Sequence, residues 1–179
     1  MFAQALESLF RHAVPEGGLP LHSRERLRVI GIDLDRPLLP AYPVEAWVAA
    51  LEVAADALYP EGPRDEAYRA LGRRIVRGYT STLLGRASLS LGRMLGPRRM
   101  LERLTQNLRL ASNFMEARLT RCGPRDYEVW LNTRVRTPAY YEGFITQALE
   151  LVGAREVRVR VAEADAAGFT YRVRWEGPE

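Results

Sequence analysis

The sequence predicts an α+β fold in which an N-terminal helical layer, residues 1–113, precedes a β-β-α-β-β antiparallel sheet, residues 114–176, with the helices on one face. Three observations predict it. Apolar residues recur at three- and four-residue steps as far as Asn113, they alternate one in two beyond it, and no repeat, low-complexity run or flexible linker parts the two stretches. At 179 residues the chain suits a single domain, 1–179. Four strands and one helix would make a thin domain alone, so the two parts are expected to share a core.

Phe2, Leu6, Leu9, Phe10 and Ala13 line a short first helix that Pro15, Gly17, Gly18 and Pro20 end. Ser23 is the expected N-cap of a second helix, and Gly31 its stop. Residues 32–43 carry three prolines and cannot hold a long regular element. Pro43 starts a third helix with Ala46, Trp47, Ala50, Leu51, Ala54 and Leu58 on one face. From Arg64 to Gly96 no proline intervenes, which predicts one long helix of about 45 Å, kinked near one of its glycines. Gly96 and Pro97 stop it, and Met100, Leu101, Leu104 and Leu108 turn a further helix to the core.

Met115, Ala117 and Leu119, then Tyr127, Val129 and Leu131, alternate with polar neighbours as a hairpin. Thr137 caps and Pro138 opens a helix that buries Tyr141, Phe144, Ile145, Ala148, Leu149 and Val152. Val157, Val159 and Val161 mark the third strand; Phe169, Tyr171, Val173 and Trp175 mark the fourth.

Composition excludes several function classes. No apolar run approaches the roughly 20 residues of a membrane span, and the N-terminus lacks a signal peptide, so a cytoplasmic location is expected. Cys122 alone forms no intrachain disulfide, and His12 and His22 complete no metal cluster. All 26 basic residues are arginine, which GC-rich codon choice explains without any special role. A net charge of +4 with interspersed acids falls short of a nucleic-acid field over the whole surface. No nucleophile, base and orienting group converge in sequence, and no carboxylate pair reads as an acid and a base. Asp33 and Asp35 beside Arg36 read as turn formers, and Asp65 and Glu66 as first-turn residues favouring a helix dipole.

Two surfaces remain as candidate sites. Gly78, Ser81, Gly85, Ser88 and Gly92 form a small-residue stripe, beside an apolar row of Val76, Tyr79, Leu83, Ala87, Leu91 and Met94 or Leu95. Glycine costs about 1 kcal/mol against alanine inside a helix, so something must approach the stripe closely. A neighbouring helix, a dimer seam, or an apolar ligand lined by Trp47, Tyr68 and Tyr79 would each serve. On the sheet, Arg118, Trp130, Arg158, Arg160, Arg172 and Arg174 share one face, either solvated and balanced by Glu116 and Glu128, or open to an acidic partner or single-stranded nucleic acid.

The segments GIDLDRPLLPAYPVEAW (31–47), LGRRIVRGYTSTLLGR (71–86) and LGPRRMLERL (95–104) resemble a paralogous family of unknown function found in myxobacteria. The resemblance covers most of the chain and implies no activity. The element order is similar, at fold level alone, to the haem-nitric-oxide-binding and trafficking-particle-subunit group, whose members hold small ligands or assemble with partners. Haem sensors of that group imply a helix-borne proximal histidine and a Tyr-x-Ser-x-Arg triad. Here Tyr79 and Ser81 are followed by Leu83, and both histidines precede the main helices, so neither haem nor any other cofactor is expected.

The resulting expectation is a cytoplasmic, non-enzymatic binding or adaptor module, regulatory in role, acting through an unknown protein partner or a small apolar ligand. Homodimerisation is one alternative use of the stripe. Nucleic-acid binding through the sheet face is the second reading, and an enzyme the third.

Overall fold

Helices first and a β-β-α-β-β sheet second is the order found in the computed structural model, which describes residues 1–14, 18–133 and 138–178. The helical layer comprises α1 (Ala3–Phe10), α2 (Leu21–Val29), α3 (Val44–Leu58), α4 (Arg64–Ser81), α5 (Leu83–Glu102) and α6 (Leu104–Arg109). The second part comprises β1 (Ala117–Gly123), β2 (Asp126–Leu131), α7 (Ala139–Leu151), β3 (Arg155–Ala164) and β4 (Phe169–Glu176). The α+β class holds, with a four-stranded antiparallel sheet in the order β1-β2-β4-β3.

Helix boundaries correct the sequence reading in two places. Pro20, not Ser23, occupies the N-cap of α2; its φ of −52° suits that position, and Ser23 is fully buried inside the helix. Gly31, at φ 85°, follows the helix as expected. The predicted long helix is two helices, because Thr82 adopts an extended ψ of 161° between α4 and α5. Three successive hydroxyls compete for the last turn of α4: Thr80 donates to the Arg77 carbonyl at 2.7 Å, Ser81 to the same carbonyl at 3.3 Å, and Thr82 to that of Tyr79 at 2.8 Å. Thr82 then accepts from the Gly85 amide at 3.0 Å and caps α5. The turn falls at a threonine and not at one of the glycines. A second break, Gly96 at φ 79°, lies where the first long helix was expected to stop. Pro15, Gly17 and the Thr137 cap lie outside the described residues.

The turn at Thr82 separates the apolar row. Val76 is buried and Tyr79 half-buried, whereas Leu83 is 79% and Met94 85% exposed, with Ala87 and Leu91 exposed between them. The outer side of α5 therefore carries the row into solvent.

Helix α7 lies between the sheet and α4 and is buried nearly all round. Its backbone meets that of α4 directly. A β-carbon at Gly72 would run into the Tyr140 carbonyl oxygen and lie 2.7 Å from the Phe144 nitrogen; one at Gly143 would run into the Arg69 carbonyl oxygen and lie 2.8 Å from its carbon. Polar pairs surround this crossing: Arg69 donates twice to Glu142, at 2.7 and 3.1 Å, Arg77 to Gln147 at 2.9 Å, and Arg73 to Glu150 at 2.7 and 3.3 Å. One apolar cluster runs through both parts of the chain, from Leu6, Leu9 and Trp47 to Val129, Tyr171 and Val173.

The inner sheet face buries Tyr127, Val129, Leu131, Val159, Tyr171, Val173 and Trp175. On the outer face the register sets Arg158 opposite Arg174 and Arg160 opposite Arg172. Directly opposed like charges destabilise a sheet unless countered. Asp126 and Glu128 on β2 lie opposite Arg174 and Arg172 and supply the counter-charge. Arg172 contacts Glu128 at 2.7 Å, and both Arg172 and Arg174 reach Asp126. Burial raises the Asp126 carboxyl, but hydrogen bonds and charge from Arg172 and Arg174 outweigh it and hold the group below its ordinary value.

Two predictions follow from these contacts. Gly72→Ala and Gly143→Ala should each destabilise the protein by about 1–3 kcal/mol, a fall of about 3–10 °C in thermal melting, while Ala87→Ser on exposed α5 stays within about 0.5 kcal/mol. Unchanged melting of both glycine variants would show that the helices are not in backbone contact. For Asp126, the depressed carboxyl stabilises the fold above the unfolded-state value of about 3.9, and this is lost as pH falls through the folded-state value. Denaturant titrations should find wild type more stable than Asp126→Asn at pH 7, with the gap closing as pH falls below about 4. A gap that widens on acidification contradicts the assignment.

Candidate functional site

The broken helix, the α4–α7 crossing and the α5–α6 segment enclose an apolar cavity of about 150 Å³. Ile75, Val76 and Tyr79 of α4 form one wall, and Tyr140, Tyr141 and Phe144 of α7 another. Met100, Leu104 and Leu108 close a third side, while Trp47 reaches in from α3. These elements present apolar positions here because the helical spacing that builds the core leaves the bulky residues short of complete interdigitation.

The aromatic part of the wall is ordered by ring contacts. Trp47 and Tyr140 pack edge-to-face at 6.4 Å, and Tyr140 and Tyr141 at 5.0 Å. Burial pushes the Tyr140 hydroxyl well above its ordinary value; it pushes Tyr141 up to about 12, a hydrogen bond with Thr133 acting weakly in the opposite sense. Both are neutral near pH 7. No charged side chain lines the cavity among the described residues. Several polar groups of the wall are engaged: Tyr79 with Ser88 at 3.2 Å, Ser8 with the Gln4 carbonyl at 2.7 Å, and Asn107 with the Met100 sulfur at 3.5 Å.

This wall does not suit haem. Among the described residues it has no histidine or cysteine, its candidate iron donors being methionine sulfurs and phenols of which Tyr140 and Tyr141 are kept neutral by burial, and no cationic side chain to meet propionates. Its volume matches cavities that take benzene, far below a tetrapyrrole. His12 and His22 are exposed, and His12 lines a separate polar cleft with Arg73, Arg74 and Arg77. Tyr79 borders the cavity, Ser81 borders that second cleft, and Leu83 faces solvent, so the three triad positions do not converge. Among the described residues no group of three or more His, Cys, Asp or Glu side chains is arranged to hold a metal ion.

The small-residue stripe is divided among different neighbours. Gly78 lies under α1, where a β-carbon would strike the Ser8 carbonyl; Gly85 lies against the end of α4 at Tyr79; a β-carbon at Gly92 would lie 2.9 Å from Val152 Cγ1. Ser81 is exposed, and Ser88 borders the cavity through its contact with Tyr79. Trp47 and Tyr79 line the cavity, whereas Tyr68 is buried away from it beneath the Arg64 guanidinium. Gly72 and Gly143, the glycines of the α4–α7 crossing, lie outside the stripe. Gly72 sits in the arginine-rich α4 and gave no local signal, whereas Gly143 sits beside Phe144 in the largely apolar α7.

On the sheet, the register brings Arg118, Trp130, Arg158, Arg160, Arg172 and Arg174 to one face. Arg118 stacks over the Trp130 ring at 4.5 Å, and the Trp130 N–H donates to Asp165 at 3.0 Å. Arg158 meets Glu156 at 3.6 Å and Arg160 meets Glu142 at 4.0 Å. With Asp126 and Glu128 holding the other pair, much of this positive charge is answered within the chain.

The fold is that of H-NOX proteins. An H-NOX protein from S. oneidensis in the Fe(II)NO ligation state superposes with a TM-score of 0.72 at 10% identity, covering 99% of this chain and 100% of that one. An unliganded Fe(II) H-NOX protein from K. algicida gives 0.68 at 8% identity, over 99% and 98%. An oxygen-binding H-NOX domain related to soluble guanylate cyclases gives 0.65 at 16% identity, over 98% and 91%. Likeness at such low identity establishes shared architecture alone. No curated protein matches the sequence. The family described as "Protein of unknown function (DUF2378)" matches residues 1–176, and the chain belongs to it.

Proposed function

We propose that this protein is a non-enzymatic binding module that holds a small, uncharged apolar molecule in the cavity between α4, α7 and the α5–α6 segment. The observation that carries this reading is the wall itself, which is aromatic and aliphatic and without charged side chains among the described residues. Ligand binding by the oxygen-binding H-NOX domain makes the architecture a reasonable host, with different wall chemistry here.

A regulatory role is part of the proposal. Helix α5 contributes Ser88 and Met100 to the wall and turns Leu83, Leu91 and Met94 outward, so occupancy of the cavity bears on a surface fit for a protein partner. No described helix is long and apolar enough to cross a membrane, and action in the cytoplasm fits this reading. The nucleic-acid alternative draws on the Arg118–Trp130 stack, but the carboxylates facing Arg158, Arg172 and Arg174 weigh against it.

The test uses toluene as a probe. At about ten times its dissociation constant it should raise the melting temperature of wild type by about 3–5 °C, and Ala148→Leu, which fills the wall from α7, should lose most of that rise. No rise in wild type at saturating toluene rejects the cavity as a ligand site.

A further inference from the structure

Trp47 is 2% exposed, and its indole N–H has no acceptor among the described residues. A buried donor without a partner loses its hydration and recovers nothing, which is why such groups are rare. This one belongs to a side chain in the cavity wall. The Tyr79–Ser88 pair, the Ser8 hydroxyl and the Asn107 amide make their hydrogen bonds elsewhere, and none of them accepts from the indole. The Ser112 hydroxyl, also on the wall, accepts from the Met115 amide at 3.1 Å.

We propose that Trp47 is the polar anchor of the cavity, its indole N–H donating to the single carbonyl-type oxygen of an otherwise apolar ligand. This rests on the cavity being a ligand site. The geometry favours an anchor that is held in place: Trp47 sits in the first turn of α3, whose Ala50, Leu51 and Ala54 are fully buried, and its ring abuts Tyr140 edge-to-face. The chemistry narrows the ligand further. Among the described residues the wall has no charged side chain, and the Met1 ammonium beside it donates to the Tyr42 carbonyl, so a charged ligand would be desolvated with little compensation and a neutral ketone, aldehyde or ester oxygen is favoured. A volume of about 150 Å³ limits the molecule to roughly the size of a substituted benzene.

Acetophenone and α-methylstyrene form a matched pair of probes, alike in skeleton and differing by a carbonyl oxygen against a methylene. Their affinities for wild type and Trp47→Phe are to be measured by NMR titration. The anchor predicts that acetophenone binds about fivefold more weakly to Trp47→Phe while α-methylstyrene is unaffected. In wild type alone, the Trp47 indole proton should move downfield with acetophenone and not with α-methylstyrene, which decides the matter even if the variant does not fold. If both probes bind wild type and neither measurement separates them, the anchor is overturned and the cavity reading stands. If neither probe binds wild type at saturation, the cavity reading itself fails and the anchor with it.

Discussion

The contact between the backbones of α4 and α7, at Gly72 and Gly143, sets the distance between the helical layer and the sheet. Most other features depend on that distance. Helix α7 can be buried on both sides because α4 comes close enough to cover it, and the Arg69–Glu142 pair can form because the two backbones touch beside it. Glu142 extends the tie to the sheet, accepting from the Val161 amide of edge strand β3 at 3.3 Å. One carboxylate thus joins three elements, and the unpaired edge of β3 is partly covered. The apolar cavity lies beside this crossing, where Tyr140 and Tyr141 project from the same helix that the glycines bring in.

Charge is handled locally across the molecule. Arginines on α4 meet Glu142, Gln147 and Glu150 on α7, and the opposed arginines of β3 and β4 are offset by Asp126 and Glu128. Planar guanidinium groups suit these shared, two-pronged contacts better than an ammonium would. A basic isoelectric point therefore coexists with a sheet face whose charges are largely paired. The cavity of this chain is surrounded by methionine, leucine and tyrosine, without histidine or arginine among the described residues.

Much of the architecture was legible because periodicity and proline placement act within a few residues. Pro43, Pro63 and Gly153 bound helices as their backbone chemistry requires, and the alternation of Val157, Val159 and Val161 placed β3 correctly. The turn at Thr82 was missed because Thr80, Ser81 and Thr82 are tolerable in a helix one at a time, and their combined competition for carbonyls is a property of the run. The glycine stripe had the right physical premise, close approach, but three different partners, Gly85 lying tightest against Tyr79; the approach of Gly72 to α7 falls on another side of α4. Trp47 and Tyr79 could be named as candidate lining because aromatic residues stand out on apolar helix faces. That Tyr68 lies elsewhere, and that Tyr140 and Met100 join the wall, depends on how α7 and α5 cross α4, which no local pattern specifies.

The Arg69–Glu142 pair joins residues 73 positions apart in the chain. During synthesis at about 5–20 residues per second, α4 must wait roughly 4–15 s for the helix that covers it. Until then Gly72 and its apolar neighbours have no native counterpart, and the helical layer cannot complete its packing. Folding of the nascent protein is thereby tied to the arrival of α7, and a chain released before that helix emerges from the ribosome would present a ready target for chaperones.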